Sequence, residues 1–161
     1  MILNGSHTGM VPIALQMGCE TVMDAFNTPD IEKFINDMVA QEVIPMIEED
    51  QEELKQFAAG ILERFYNPFI KHMLRSISLN SLSKWEARNY PTVKDNWFKA
   101  QKVATHECFT FAALLSLYGP KRGFEPDDPQ EFVEYIRTDW NPAARAGPVR
   151  KIGHETGLSP V

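Results

Sequence analysis

Apolar residues recur along most of this chain at the spacing of three to four positions that is typical of amphipathic helices. The pattern is clearest in three successive segments. Their apolar positions are Ile31, Phe34, Ile35 and Met38; Leu54, Phe57, Ala58, Ile61, Leu62 and Phe65; and Phe69, Ile70, Met73, Leu74 and Ile77. No convincing alternation of apolar and polar residues is present, and only residues 85–90 could form a short extended piece. The pattern therefore predicts an all-α fold.

Proline and glycine mark the predicted ends of the helices. Thr28-Pro29, Asn67-Pro68 and Asp128-Pro129 each place a side chain able to cap a helix before a proline at the first helical position. Gly119-Pro120 predicts the end of a helix, with the glycine in the left-handed cap conformation. Because no strand leads through a glycine-rich turn into a helix, we expect no dinucleotide-binding unit in this chain.

Size and composition are those of an ordinary globular domain. The chain has 161 residues, of which 43% are hydrophobic and 24% are charged. Residues 1–140 are expected to form one helical domain, and residues 141–161, rich in Pro, Gly and Ala, an irregular tail. The apolar run 108–118 is shorter than a membrane span and predicts a buried core helix.

Charge and cysteine content narrow the class of partner. With 22 acidic and 16 basic residues the formal net charge is -6, which disfavours non-specific binding to nucleic acid or to an anionic membrane. Cys19 and Cys108 have no nearby cysteine partner, so a reducing, cytoplasmic setting is the simplest expectation.

Asn4 and His7 are the first candidates for chemistry. If a helix begins near Ser6, their side chains can converge at its N-terminus, where neutral N–H donors would suit a carbonyl oxygen that gains negative charge. The alternative is structural, with Asn4 or Ser6 capping the helix and His7 lining the core. The spacing alone favours this alternative, because N-x-x-H is a weak pattern.

A locally basic stretch in this acidic chain, residues 64–85, supplies further candidates. Its basic residues are Arg64, Lys71, His72, Arg75 and Lys84, and a substrate carboxylate would be well served by an Arg or a Lys here. A solvated helix face explains the same residues, and spacing alone favours it.

Other polar groups carry weaker signals. His106-Glu107 and His154-Glu155 lack the paired histidines of a helical zinc site, so no metal is expected. The acidic residues 48–54 fit a solvated helix start, and Cys108 within an apolar run is expected to be inert.

Three segments in order resemble the polyol-specific long-chain dehydrogenases, the mannitol dehydrogenase family. They are ILNGSHTGMVPI at the start, RFYNPFIKHMLRSISLNSLSKW from Arg64, and FTFAALLSLYG from Phe109. The resemblance runs from residue 2 to about residue 118. Within the family, the first two segments are most similar to the members that act on hexuronates.

The resemblance implies a fold and a place in a larger enzyme. The family's C-terminal domain is helical and similar to that of 6-phosphogluconate dehydrogenase, and an N-terminal Rossmann domain binds NAD(H). The family signature is a Lys followed five positions later by Asn and three further on by His. Asn4 and His7 occupy the last two positions, and the Lys position would precede Met1. The chain is therefore expected to be the second domain of a longer enzyme and inactive alone.

The resemblance also implies roles for residues. Hydride would pass between NAD(H) and a hexuronate or polyol carbon without a metal, Asn4 would polarise the reacting oxygen, and His7 would orient a substrate hydroxyl. Arg64, His72 and Lys84 are the candidates for contact with the substrate, because a hexuronate has a carboxylate that a hexitol lacks. The Rossmann domain would be the main partner, and the surface that faces it could self-associate when exposed. Fructuronate or mannitol as substrate, and a non-catalytic helical interaction module, are the alternatives.

Overall fold

The computed structural model describes residues 2–66, 71–120 and 123–139. Within these ranges the fold is helical, as the hydrophobic pattern predicts, and the β-structure is one isolated antiparallel bridge between Thr21 and Met73. The helices are α1 (Ile2–Gln16), α2 (Val22–Phe26), α3 (Pro29–Met38), α4 (Gln51–Glu63), α5 (Leu74–Ile77), α6 (Ser81–Arg88), α7 (Tyr90–Ala100), α8 (Thr105–Tyr118) and α9 (Gln130–Asp139). A π-helical turn, Val39–Val43, and 3₁₀ turns at Ile44–Met46 and Arg64–Tyr66 complete the set.

Helix α1 lies at the centre of the fold and packs against α3, α4, α5, α6 and α8. Small residues allow these close approaches. A Cβ added to Gly9 would lie 3.0 Å from Thr110 Cγ2, and a Cβ added to Gly5 would lie 3.5 Å from the Arg88 carbonyl oxygen. The motif that contains Asn4 and His7 is therefore held by neighbours on several sides.

The apolar side chains form two groups on either side of α1. One joins α1 to α2, α3, α4 and α5, and the other joins α6 to α8 and α9 through Trp85, Leu114 and Tyr118. Leu15 packs against both groups, so α1 links them. Helices in the described ranges fall short of the length and apolar character that a membrane span requires.

A buried carboxylate holds the start of α8. Glu42 accepts hydrogen bonds from the His106 backbone N–H at 2.8 Å and the Glu107 backbone N–H at 3.0 Å. These two groups have no partner within their own helix, and negative charge is favoured at a helix N-terminus. The backbone carbonyl of Glu42 accepts from Asn96 Nδ2 at 2.8 Å, which fixes the π-helical turn against α7.

Several local predictions are wrong, for identifiable reasons. Residues 85–90 are not extended, since they lie in α6 and at the start of α7. Helix α1 spans Ile2–Gln16 and does not begin near Ser6. Gly119 ends α8 as predicted but at φ -59 and ψ 156, because the residue before a proline is pushed to extended backbone.

Exposure and capping also differ from expectation. Phe57 is 62% exposed, because the buried stripe of α4 runs through Leu54, Ala58 and Ile61 and leaves Phe57 at its margin. Cys108 is exposed, and the buried residues of that apolar run are Thr110, Leu114, Leu115, Leu117 and Tyr118.

Two side chains predicted to cap helices, those of Thr28 and Asp128, form other hydrogen bonds. Pro29 does begin α3, but the Thr28 hydroxyl donates to the Asp24 carbonyl and does not cap α3. Helix α9 begins one residue after Pro129, and the Asp128 carboxylate accepts from the Leu82 N–H and the Tyr118 hydroxyl. Asn67-Pro68, Phe69, Ile70, His154-Glu155 and the predicted tail lie outside the described residues.

Candidate functional site

The two residues predicted to carry chemistry share one face of α1. Asn4 and His7 are three positions apart in a continuous helix, a spacing that makes them neighbours. The Asn4 side chain is exposed and hydrogen-bonds to no described residue, so it does not cap α1. Ser6 Oγ donates to the Ile2 carbonyl at 2.7 Å and is used within the helix. Asn4 thus presents free amide groups to the surface.

His7 is half-buried and lies against aromatic rings. Its ring centroid is 4.2 Å from that of Phe65, which itself packs edge-on against Phe26 at 4.7 Å. Its Nε2 atom is buried and has no hydrogen-bond partner among the described residues. Burial, then the positive charges of His72 and Arg88, lower the pKa of His7 from 6.5 to about 4. The imidazole is therefore neutral at physiological pH and can donate or accept one hydrogen bond.

The structure brings His72 beside His7. Backbone hydrogen bonds from Val22 N–H to the His72 carbonyl at 3.0 Å and from Leu74 N–H to the Glu20 carbonyl at 2.9 Å pin this segment to the start of α2. The two imidazole centroids are 6.4 Å apart with their planes at 67°. His72 is exposed, so its ring borders the surface next to the buried ring of His7.

Lys84 and Arg88 lie on the neighbouring helix, α6, four residues apart. Lys84 Nζ donates to the Ile77 carbonyl at 3.0 Å. Burial and then the charge of Arg88 lower the pKa of Lys84, and the negative charge of Asp128 opposes that shift. Arg88 Nη1 donates to Thr8 Oγ1 at 3.2 Å, so α6 directs a guanidinium to the residue that follows His7. We call His72, Lys84 and Arg88 the basic cluster.

Arg64, the remaining residue predicted to contact a substrate, forms no hydrogen bond or ion pair with His7 or with the basic cluster. It lies in the 3₁₀ turn that ends α4, immediately before Phe65, whose ring contacts His7. Its side chain is exposed and pairs with no described residue. The turn brings Arg64 near this end of α1 without fixing its guanidinium there.

Arg88 is not among the residues predicted from the sequence to contact a substrate. Its signal is the four-residue spacing from Lys84, which places both cations on one face of a helix. The spacing carries no such meaning if residues 85–90 are extended. The sequence features that mark helices in this segment are Asn80, just before α6, and Pro91, in the first turn of α7.

His106 and Glu107, which were weighed as metal ligands, have structural partners. His106 Nδ1 lies 2.7 Å from Glu42 Oε1, and Glu107 Oε2 accepts from Asn89 Nδ2 at 2.8 Å. Burial, opposed by the Asn89 hydrogen bond and reinforced by the charge of Glu42, raises the pKa of Glu107 from 4.5 to about 8. Within the described ranges, no three His, Cys, Asp or Glu side chains are grouped as metal ligands would be.

Two solved structures share this arrangement of helices. Mannitol 2-dehydrogenase of Pseudomonas fluorescens, solved as a ternary complex with NAD and D-mannitol, superposes with a TM-score of 0.70 over 84% of this chain and 28% of that chain, at 20% identity. A D-sorbitol dehydrogenase in substrate-free form gives 0.78 over 96% of this chain and 33% of that chain, at 18% identity. The fold is therefore that of a helical domain found in polyol dehydrogenases.

Sequence comparison identifies the family. The description "Mannitol dehydrogenase C-terminal domain" matches residues 1–133, and the chain belongs to that family. Altronate oxidoreductase of Bacillus subtilis is 39% identical over 139 residues, and that of Pectobacterium atrosepticum is 37% identical over 139 residues. Each alignment covers 86% of this chain but only 28% of the relative's length.

Proposed function

We propose that this chain is the substrate-binding domain of a longer, NAD-dependent oxidoreductase that interconverts tagaturonate and altronate. The curated relatives at 35–39% identity carry the name altronate oxidoreductase, and they extend well beyond the matched region. The remaining part of such a protein would supply the nucleotide-binding domain and the lysine that precedes the Asn and His of the family signature.

The observation that carries the proposal is the basic cluster beside His7. The chain has a net charge of -6, yet Lys84 and Arg88 lie together without an ion pair to any described carboxylate. A hexuronate has a carboxylate that a hexitol lacks, and such a group would balance this charge. The basic cluster therefore favours an acidic sugar, and not a neutral polyol, as the substrate.

Asn4 and His7 would act on the other end of the substrate. The Asn4 amide is exposed and unused, so its N–H can donate to the oxygen that gains charge as the carbonyl is reduced. The neutral imidazole of His7 would orient a neighbouring hydroxyl by a single hydrogen bond. Both side chains come from one rigid helix, which favours a fixed geometry at the reacting carbon.

We place most of the cofactor site in the remaining part of the longer protein. NAD supplies or accepts the hydride when it is bound. A site for its pyrophosphate requires a glycine-rich turn between a strand and a helix, and residues 2–66, 71–120 and 123–139 contain no such unit. The part of the reaction that we assign to this chain is therefore substrate binding and stabilisation of charge on oxygen.

Turnover by the longer protein tests the proposal. Purified protein that includes this chain should oxidise NADH in the presence of tagaturonate. We expect kcat/KM for tagaturonate to exceed that for fructose by about tenfold or more, the effect of one charge-assisted contact. A preference for fructuronate or fructose would transfer the assignment to another member of the family. The 161-residue chain alone should show no activity above buffer, and clear activity would refute the domain assignment.

The isolated chain also offers surface for association. Phe57, Phe98 and Phe109 are 62%, 68% and 53% exposed, as expected of a domain that meets another part of a longer protein. We propose that these faces drive self-association of the isolated chain. Sedimentation velocity at increasing concentration should show species larger than a monomer, and a strict monomer would contradict this. A non-catalytic module that binds a partner through the same faces predicts that the longer protein has no turnover.

A further inference from the structure

We propose that Arg88 binds the substrate carboxylate and thereby selects acidic sugars over neutral polyols. This inference rests on the proposed function, because it names the residue that binds the carboxylate of the proposed substrate. It assigns to Arg88 a specificity role that neither the motif nor the basic stretch indicated.

The position of Arg88 is fixed next to both candidate catalytic residues. Its Nη1 donates to Thr8 Oγ1 at 3.2 Å, and Thr8 Oγ1 in turn donates to the Asn4 carbonyl at 2.8 Å. Thr8 is buried, so this link runs inside the packing of α1 against α6. The guanidinium is therefore held beside the turn of α1 that carries Asn4 and His7.

Most of the hydrogen-bonding capacity of Arg88 remains available. A guanidinium has five N–H donors, and the bond to Thr8 uses one of them. Its planar fork can give two parallel hydrogen bonds to a carboxylate, which an ammonium group cannot match. Lys84 is a weaker candidate, because its Nζ already donates to the Ile77 carbonyl. Arg64 is exposed and held by no described residue.

Arg88 is half-buried and has no ion pair with a described carboxylate, whereas Arg64 and Arg75, which also lack one, are exposed to solvent. Arg137 pairs with Glu125 at 3.2 Å, and Lys33, Lys55 and Lys99 each pair with a carboxylate. Arg88 pairs with no described carboxylate, and its charge instead lowers the pKa of His7 and of Lys84. A bound anion would relieve this repulsion, so the site favours a ligand with negative charge.

Substrate discrimination in the longer protein tests the role. Arg88→Gln should raise KM for tagaturonate about 10- to 100-fold, the effect of losing a charge-assisted pair, while kcat/KM for fructose changes less than about threefold. Arg88→Lys should recover part of the loss. Arg75→Gln is the matched control, since it removes an equal charge from a residue that lies over the Phe124 ring, and both substrates should be unaffected. Equal losses for both substrates after Arg88→Gln would overturn the assignment in favour of a structural role.

Equilibrium binding separates this inference from the proposed reaction. Calorimetric titration of the longer protein with altronate and with mannitol needs no turnover. The wild type should bind altronate more tightly, with an advantage that salt weakens, and Arg88→Gln should abolish the difference. If this is observed without any turnover, the proposed reaction fails and the role of Arg88 stands. If the wild type binds altronate and mannitol with equal affinity, Arg88 does not bind the substrate carboxylate.

Discussion

Gly9 in α1 faces Thr110 in α8 so closely that a methyl group on Gly9 would lie 3.0 Å from Thr110 Cγ2. Thr110 cannot move aside easily, because its hydroxyl donates to the Glu107 carbonyl and accepts from Trp85 Nε1 at 2.8 Å. We therefore expect Gly9→Ala to destabilise the chain by about 1–3 kcal/mol, the usual effect of overpacking. Urea unfolding followed by circular dichroism would measure the loss.

Gly60→Ala provides the control for that substitution. Gly60 also lies inside a helix, α4, but an added Cβ would meet nothing within 4 Å. The same change should therefore stabilise the chain by about 0.5–1 kcal/mol through the backbone alone. If Gly9→Ala also stabilised the chain, α8 would have to be able to move away from α1.

Removal of the Asn4 amide should affect the reaction more than binding. In the longer protein, Asn4→Ala should lower kcat by about 10²–10³ with a smaller change in KM, because the contact to the reacting oxygen strengthens in the transition state. Steady-state kinetics with tagaturonate would show the split. Asn36→Ala, which removes another exposed amide, on α3, should leave both constants unchanged. An unchanged kcat after Asn4→Ala would remove Asn4 from the mechanism.

The cap on α8 should contribute more than an exposed cap. Glu42→Ala removes a buried carboxylate from two backbone N–H groups, and we expect a loss of about 2–3 kcal/mol. Asp50→Ala is the matched control, since Asp50 Oδ1 accepts from the Glu52 and Glu53 N–H groups at the exposed start of α4. That change should cost about 1 kcal/mol. Thermal unfolding of both variants would compare them, and equal losses would contradict the role of burial.

The helical class and most of the core follow from the hydrophobic spacing, because period alone decides between helix and strand in long amphipathic segments. This spacing predicts that Leu54, Ala58 and Ile61 are buried, and the structure confirms it. The pattern could not show the Arg88 contact with Thr8, which joins residues 80 positions apart. Nor could it show that Glu42 caps α8, since a carboxylate from a distant turn leaves no local signal at the helix that it caps.

His7 and Glu107 should impose opposite pH dependence on stability. The pKa of His7 falls from 6.5 to about 4 on folding, so between these values the unfolded chain holds the extra proton and stability rises with pH. The pKa of Glu107 rises from 4.5 to about 8, so its contribution is complete below pH 4.5 and is lost as pH rises toward 8. The two slopes oppose each other between 4.5 and 6.5.

Glu107→Gln should separate these two slopes, because glutamine resembles the protonated acid and does not titrate. The wild type should lose stability between pH 6.5 and 8, by up to about 1.4 kcal/mol per pH unit, and the variant should not. Below pH 6.5 the variant should instead show the rise with pH that His7 produces. Urea midpoints across this range would test both, with Glu134→Gln, an exposed glutamate on α9, as the control. Parallel pH profiles for wild type and Glu107→Gln would mean that Glu107 is ionised in the folded chain.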